Sequence, residues 1–148
     1  MSVLAEAELK DLFLETEALL AGHFQLSSGL HSAQYFQCAR LLCDPDWAER
    51  LGAALAALSP PDWRDAKAVV APALGGIIIG HETARALRKR SLFAERKDGV
   101  MTLRRGFSVE PGERVLIVED VITTGKSTGE VVRLLKELGA NPIGALAI

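Results

Sequence analysis

Two carboxylates, Glu119 and Asp120, close the apolar run Val115, Leu116, Ile117 and Val118, and a loop of small and hydroxyl residues follows at once. A short, continuous, β-branched and aliphatic run predicts a central parallel strand covered on both faces. Open α/β sheets bind their ligands at the carboxyl ends of such strands, which puts Asp120 at the binding edge. Thr123, Thr124, Gly125, Lys126, Ser127 and Thr128 open the predicted next helix, where hydroxyls, free backbone amides and the helix dipole favour a phosphate. The acid pair would repel a phosphate seated directly on it. It suits sugar hydroxyls, or a bound cation, a few ångströms away, so the pattern predicts a sugar-phosphate site. A nucleotide-binding Walker A loop would need glycine five places before Gly125, where the chain has Asp120.

Other segments must be held around that turn. Lys67 to Ala73 reads as a second buried strand, and Ile77 to Arg90 as the helix that follows, with Arg88, Lys89 and Arg90 as its solvated basic end. Between them Leu74, Gly75 and Gly76 form a turn small enough for backbone amides to approach an anion. Leu92 to Glu95 and Met101 to Leu103 read as strands flanking a short polar loop in which Arg96 and Lys97 can bring positive charge to a substrate; Arg104 and Arg105 lie nearby. Thr128 to Leu138 is the predicted helix after the acidic turn, Gly139 its stop, and Pro142 to Ile148 a further strand. Strands alternating with helices predict an α/β fold with a mainly parallel sheet and helices on both faces.

The N-terminal part is different in character. Leu4, Leu9, Leu12, Phe13, Leu19 and Leu20 recur at helical spacing and predict an amphipathic helix over 3–21. Residues 23–37 alternate around a Ser27, Ser28, Gly29 turn and predict two short strands. Asp44 caps a helix with Pro45 at its first position, which Ser59, Pro60 and Pro61 stop. The chain of 148 residues, with a formal net charge of −2, has the length of one domain and no long basic run to carry a non-specific nucleic-acid footprint. Cys38 and Cys43 have neither zinc nor disulfide-framework spacing, and no apolar run approaches the length of a bilayer span. A cytoplasmic protein of one domain, 1–148, with residues 1–40 as helix and hood, is expected.

The strand, acid pair and Thr/Gly-rich turn of residues 115–128 resemble the 5-phosphoribosyl 1-diphosphate (PRPP) motif of the type I phosphoribosyltransferases. That resemblance assigns the ribose 2′ and 3′ hydroxyls to Glu119 and Asp120. It gives the 5′-phosphate to the loop Val121, Ile122, Thr123, Thr124, Gly125, Lys126 and Ser127, and the pyrophosphate to Leu74, Gly75 and Gly76. Residues 23–40 are similar to the hood of the orotate-specific members, through Phe24, Leu26, Ser28, Gly29, Ser32, Tyr35 and Phe36. Many relatives carry lysine where this chain has Ser27. The resemblance implies orotate binding by Ser28, Tyr35, Phe36 and Thr123, and catalysis by Arg96, Lys97 and Asp120. It also implies Mg²⁺ carried by PRPP with no direct protein cage, and a homodimer whose mobile loop 95–105 serves the partner's site. Relatives continue beyond the last strand into an Asp-Arg pair, so a shortened C-terminal end is expected. A purine phosphoribosyltransferase and a non-catalytic PRPP-sensing regulator are the alternatives.

Overall fold

The computed structural model describes residues 6–26 and 28–148. Helix α1 (Glu6–Glu15) leads into the antiparallel pair β1 (Leu19–Gln25) and β2 (His31–Phe36), and the short α2 (Ala39–Leu42) joins these to α3 (Pro45–Leu58). There follow β3 (Ala68–Pro72), α4 (Gly76–Leu87), β4 (Arg90–Lys97), β5 (Val100–Leu103), β6 (Arg114–Glu119), α5 (Lys126–Glu137) and β7 (Asn141–Ala147). The five-stranded sheet has the order β5-β4-β3-β6-β7. All neighbours are parallel except β5, which runs antiparallel to β4.

β3, and β6 from Val115 to Val118, are apolar because both faces are covered. Val69, Leu116 and Val118 pack towards α3 and α4 with Leu51, Leu55 and Ile79. Val70, Val115 and Ile117 pack on the other side with Val131 and Leu135 of α5. Each such buried aliphatic side chain contributes about 1.5–3 kcal/mol. The chain leaves β3 through α4 towards β4, and leaves β6 through α5 towards β7 on the opposite face. Strand order therefore reverses between β3 and β6, and the crevice outside their carboxyl ends is where this architecture takes ligands.

Several boundaries differ from the sequence expectation. The N-terminal helix stops at Glu15, where Glu17 takes a left-handed conformation with φ 52°, and Leu19 and Leu20 belong to β1, paired with Phe36 and Tyr35. Adjacent leucines satisfy either periodicity; pairing with β2 decides for the strand. Leu4 and Ser27 lie outside the described residues. The helix expected through Arg90 ends at Leu87, because Arg88 turns left-handed (φ 56°) and Arg90 starts β4, held by Glu113 at 2.5 Å. The polar loop expected at 96–99 is mostly strand: β4 runs through Lys97, and only Asp98 and Gly99 (φ 52° and 80°) turn the chain. Two successive positive φ values form the tight hairpin turn that matches strand twist, which an Asp-Gly pair supports.

Candidate active site

Loop 120–125 and the turn at 73–75 meet at the crevice. A Cβ placed on Gly75 would come within 2.8 Å of the Asp120 Cγ, so glycine is required for the turn to lie this close to the carboxylate. Leu74 stands 84% exposed beyond it. Gly125 adopts φ 74° and starts α5, whose first amides have no helical acceptor; the Lys126 N–H reaches the Thr124 hydroxyl at 3.4 Å. Only glycine takes that conformation without strain.

Two clefts adjoin around the loop. The first, about 400 Å³, is lined by Ser28, Arg96, Glu119, Val121 and residues 123–127. The second, about 550 Å³, lies beneath the hood between Gln25, Leu26, Ser32, Gln34, Tyr35 and Phe36 on one side and residues 120–123 on the other. Val121 and Thr123 line both clefts. A ligand with a phosphate at one end and a flat ring at the other would span them past Asp120.

The hood aromatics are steadied from behind. Tyr35 and Phe24 lie 5.5 Å apart between ring centroids, and Phe36 meets the edge of Phe13 of α1 at 5.6 Å. Both Tyr35 and Phe36 still keep an exposed face, as a stacking surface requires. Gln25, Gln34 and Ser32, adjacent to the aromatics, add amide and hydroxyl partners. Of these the sequence pattern marked only Ser32; alternation along the hairpin was the signal for the glutamines.

Charge is distributed unevenly. Glu119 is buried at 5% exposure and receives a 2.5 Å hydrogen bond from the Thr128 hydroxyl. Burial raises its pKa above the ordinary carboxylate value; the Thr128 bond opposes this, and the Asp120 charge adds to it. Arg96 lines the first cleft, and its guanidinium pairs with Glu130 of α5 at 2.5 Å. Strand alternation puts Lys97 on the other side of β4, and it lines neither cleft. Arg105 binds Glu95 through two bonds of 2.9 and 3.1 Å, with Arg104 at 3.7 Å from the same carboxylate. Of the expected site residues, the fold thus gathers the acid pair, loop 121–127, Gly75 and Arg96. Ser28, expected beside the base, lines the first cleft and not the hood cleft.

Cys38 lies beneath this loop, its thiol 4.0 Å from the Asp120 carbonyl. Burial, with a smaller push from the Asp120 charge, raises its pKa to about 12. Cys43 is exposed. Iodoacetamide at pH 8 is expected to alkylate Cys43 alone in the folded protein and both thiols after denaturation. Peptide mass spectrometry reads this directly, and modification of Cys38 in the native state would contradict the buried placement.

Residues 48–148 match the phosphoribosyl transferase domain family. An orotate phosphoribosyltransferase of Pelotomaculum thermopropionicum is 55% identical over 138 residues, covering 93% of this chain and 72% of the relative. The chain belongs to the orotate phosphoribosyltransferase family. Another orotate phosphoribosyltransferase, from Thermotoga maritima, is 53% identical over 135 residues, covering 91% of this chain and 71% of that one. The crystal structure of orotate phosphoribosyltransferase from Aeropyrum pernix superposes with a TM-score of 0.77 at 27% identity, covering 95% of this chain and 80% of that one. The shared phosphoribosyltransferase architecture agrees with the sheet expected from the sequence.

Proposed function

We infer that this enzyme transfers the 5-phosphoribosyl group of PRPP to orotate, giving orotidine 5′-monophosphate and pyrophosphate. The observation that carries the reading is the meeting of the hydroxyl-rich phosphate cleft and the aromatic hood cleft at Val121 and Thr123. The α5 amides, Thr124, Ser127 and Lys126 hold the 5′-phosphate; Glu119 and Asp120 accept hydrogen bonds from the ribose hydroxyls. Tyr35 and Phe36 stack on the pyrimidine, and Thr123 reaches it from the loop. No protein nucleophile is needed. The anomeric carbon loses pyrophosphate as the ring gains oxocarbenium character, and the protein's part is to hold both reactants in line and keep water from the cation. Arg96 supplies positive charge where the leaving group gathers negative charge.

Mg²⁺ fits this donor set as an ion brought by the substrate. Among the described residues no group of three or more His, Cys, Asp or Glu side chains is placed to hold a metal. Mg²⁺ favours phosphate oxygens, water and one or two carboxylates, and Asp120 is the more open carboxylate it would meet. When bound it offsets charge on the departing pyrophosphate.

We further propose a homodimer in the cytoplasm. Lys97, turned away from its own clefts at the tip of an exposed hairpin, is placed to serve a second copy. No helix among the described residues is long and apolar enough to cross a membrane.

PRPP consumption and pyrophosphate release, measured with Mg²⁺ against orotate, uracil, adenine and hypoxanthine, test the substrate assignment. Turnover is expected with orotate. Purine turnover without orotate turnover would replace the base, and PRPP binding without ribosylation of any base would favour a sensing role.

A further inference from the structure

Glu119 poses a problem that the binding scheme leaves open. A carboxylate so deeply buried has to be aimed before the sugar arrives, and burial favours its neutral, hydrogen-bond-donating form, which is the wrong partner for a hydroxyl donor. Thr128 is the side chain that answers to this. Threonine within a helix ordinarily turns its hydroxyl back onto the carbonyl four residues earlier, as Thr83 does in α4, bonding the Ile79 carbonyl at 2.8 Å. Thr128, in the first turn of α5, has no helical carbonyl four residues behind it and donates across to Glu119 Oε2 at 2.5 Å. It lines neither cleft itself. Its hydroxyl therefore acts through the carboxylate.

We propose that Thr128 is a positioning residue for the transfer reaction, its hydroxyl fixing the Glu119 carboxylate so that Oε1 faces the ribose hydroxyls in the phosphate cleft. The proposal rests on Glu119 being the ribose hold. A bond from the rigid start of α5 costs little entropy to maintain, because backbone and side chain are already ordered by the helix. It also ties the geometry of the sugar site to that of the phosphate site, since the turn that presents amides to the phosphate carries Thr128.

The test is a double-mutant cycle on the full chain, read as KM for PRPP, KM for orotate and kcat, with thermal midpoints by circular dichroism. Thr128→Val is expected to raise KM for PRPP by about tenfold, the scale of one hydrogen bond to a charged group, and to leave KM for orotate within about twofold. Thr128→Ser keeps the donor and is expected to restore PRPP binding to within about twofold of the parent. Added to Glu119→Ala, Thr128→Val should cost nothing further, because the group it positions is gone. An unchanged KM for PRPP in Thr128→Val, or a full additional loss in the double variant, overturns the proposal. Should Thr128→Val fail to fold, Thr128→Ala takes its place in the same cycle. Glu119→Ala alone tests the reading beneath: normal PRPP binding there refutes the ribose role of Glu119, whereas a weakened Glu119→Ala beside an unaffected Thr128→Val refutes only the role of Thr128.

Discussion

Asp120→Asn is expected to lower kcat/KM for PRPP about 10²-fold, at the upper end of what a hydrogen bond to a charged group supplies. Its carboxylate lines the hood cleft, against Gly75 and next in the chain to Glu119 of the other cleft, where the proposed binding scheme takes the sugar from the phosphate loop to the base. An amide of the same shape keeps one acceptor and turns the other into a donor, which faces the ribose hydroxyls wrongly. Folding should not suffer. Glu119 is a carboxylate whose folded pKa lies above its unfolded one, partly through Asp120. The folded state then holds more protons in that window, so stability falls as pH rises from the unfolded to the folded pKa of Glu119. Removing the Asp120 charge reduces that loss. The thermal midpoint at pH 7.5 should be equal to or slightly above the parent's, and parallel loss of activity and midpoint would contradict the assignment.

Arg96→Ala is expected to slow transfer about 10²–10³-fold, the usual consequence of deleting one charge aimed at a transition state. The structure separates it from its neighbour: Arg96 faces the phosphate cleft and Lys97 the other side of the strand. Lys97→Ala should therefore slow transfer by a smaller factor and leave the thermal midpoint unchanged, because its exposed side chain packs against nothing that the fold needs. Single-turnover rates at saturating PRPP and orotate separate the two. An unchanged rate in Lys97→Ala would refute the proposed service of this lysine to a second copy. Arg96→Ala also strips Glu130 of the partner that holds its pKa down, so a small drop in midpoint at neutral pH is expected as well.

The strand, acid pair and hydroxyl-rich turn of residues 115–128 were legible because local order fixes them. An apolar run followed by acids, and a glycine-punctuated hydroxyl stretch at a helix start, can do little else once the run is buried on both faces. The alternating hood was legible as two strands for the same reason. Where a local pattern served two periods, it misled: Leu19 and Leu20 fit a helix until β2 paired with them, and Arg90 fitted a helix end until Glu113 held it in β4.

Local order in the chain already specified the doubly wound sheet and the order of strands, acid pair and hydroxyl-rich turn along it, since each depends on neighbours in the chain. Only the tertiary structure decided which loop touches which. Gly75 abuts Asp120, Ser28 lines the cleft of residues 123–127 and not the hood cleft, Arg96 is divided from Lys97, and Thr128 reaches Glu119. These contacts depend on strand alternation and on the close approach of β3 to β6, distances that side-chain packing sets between segments far apart in the chain.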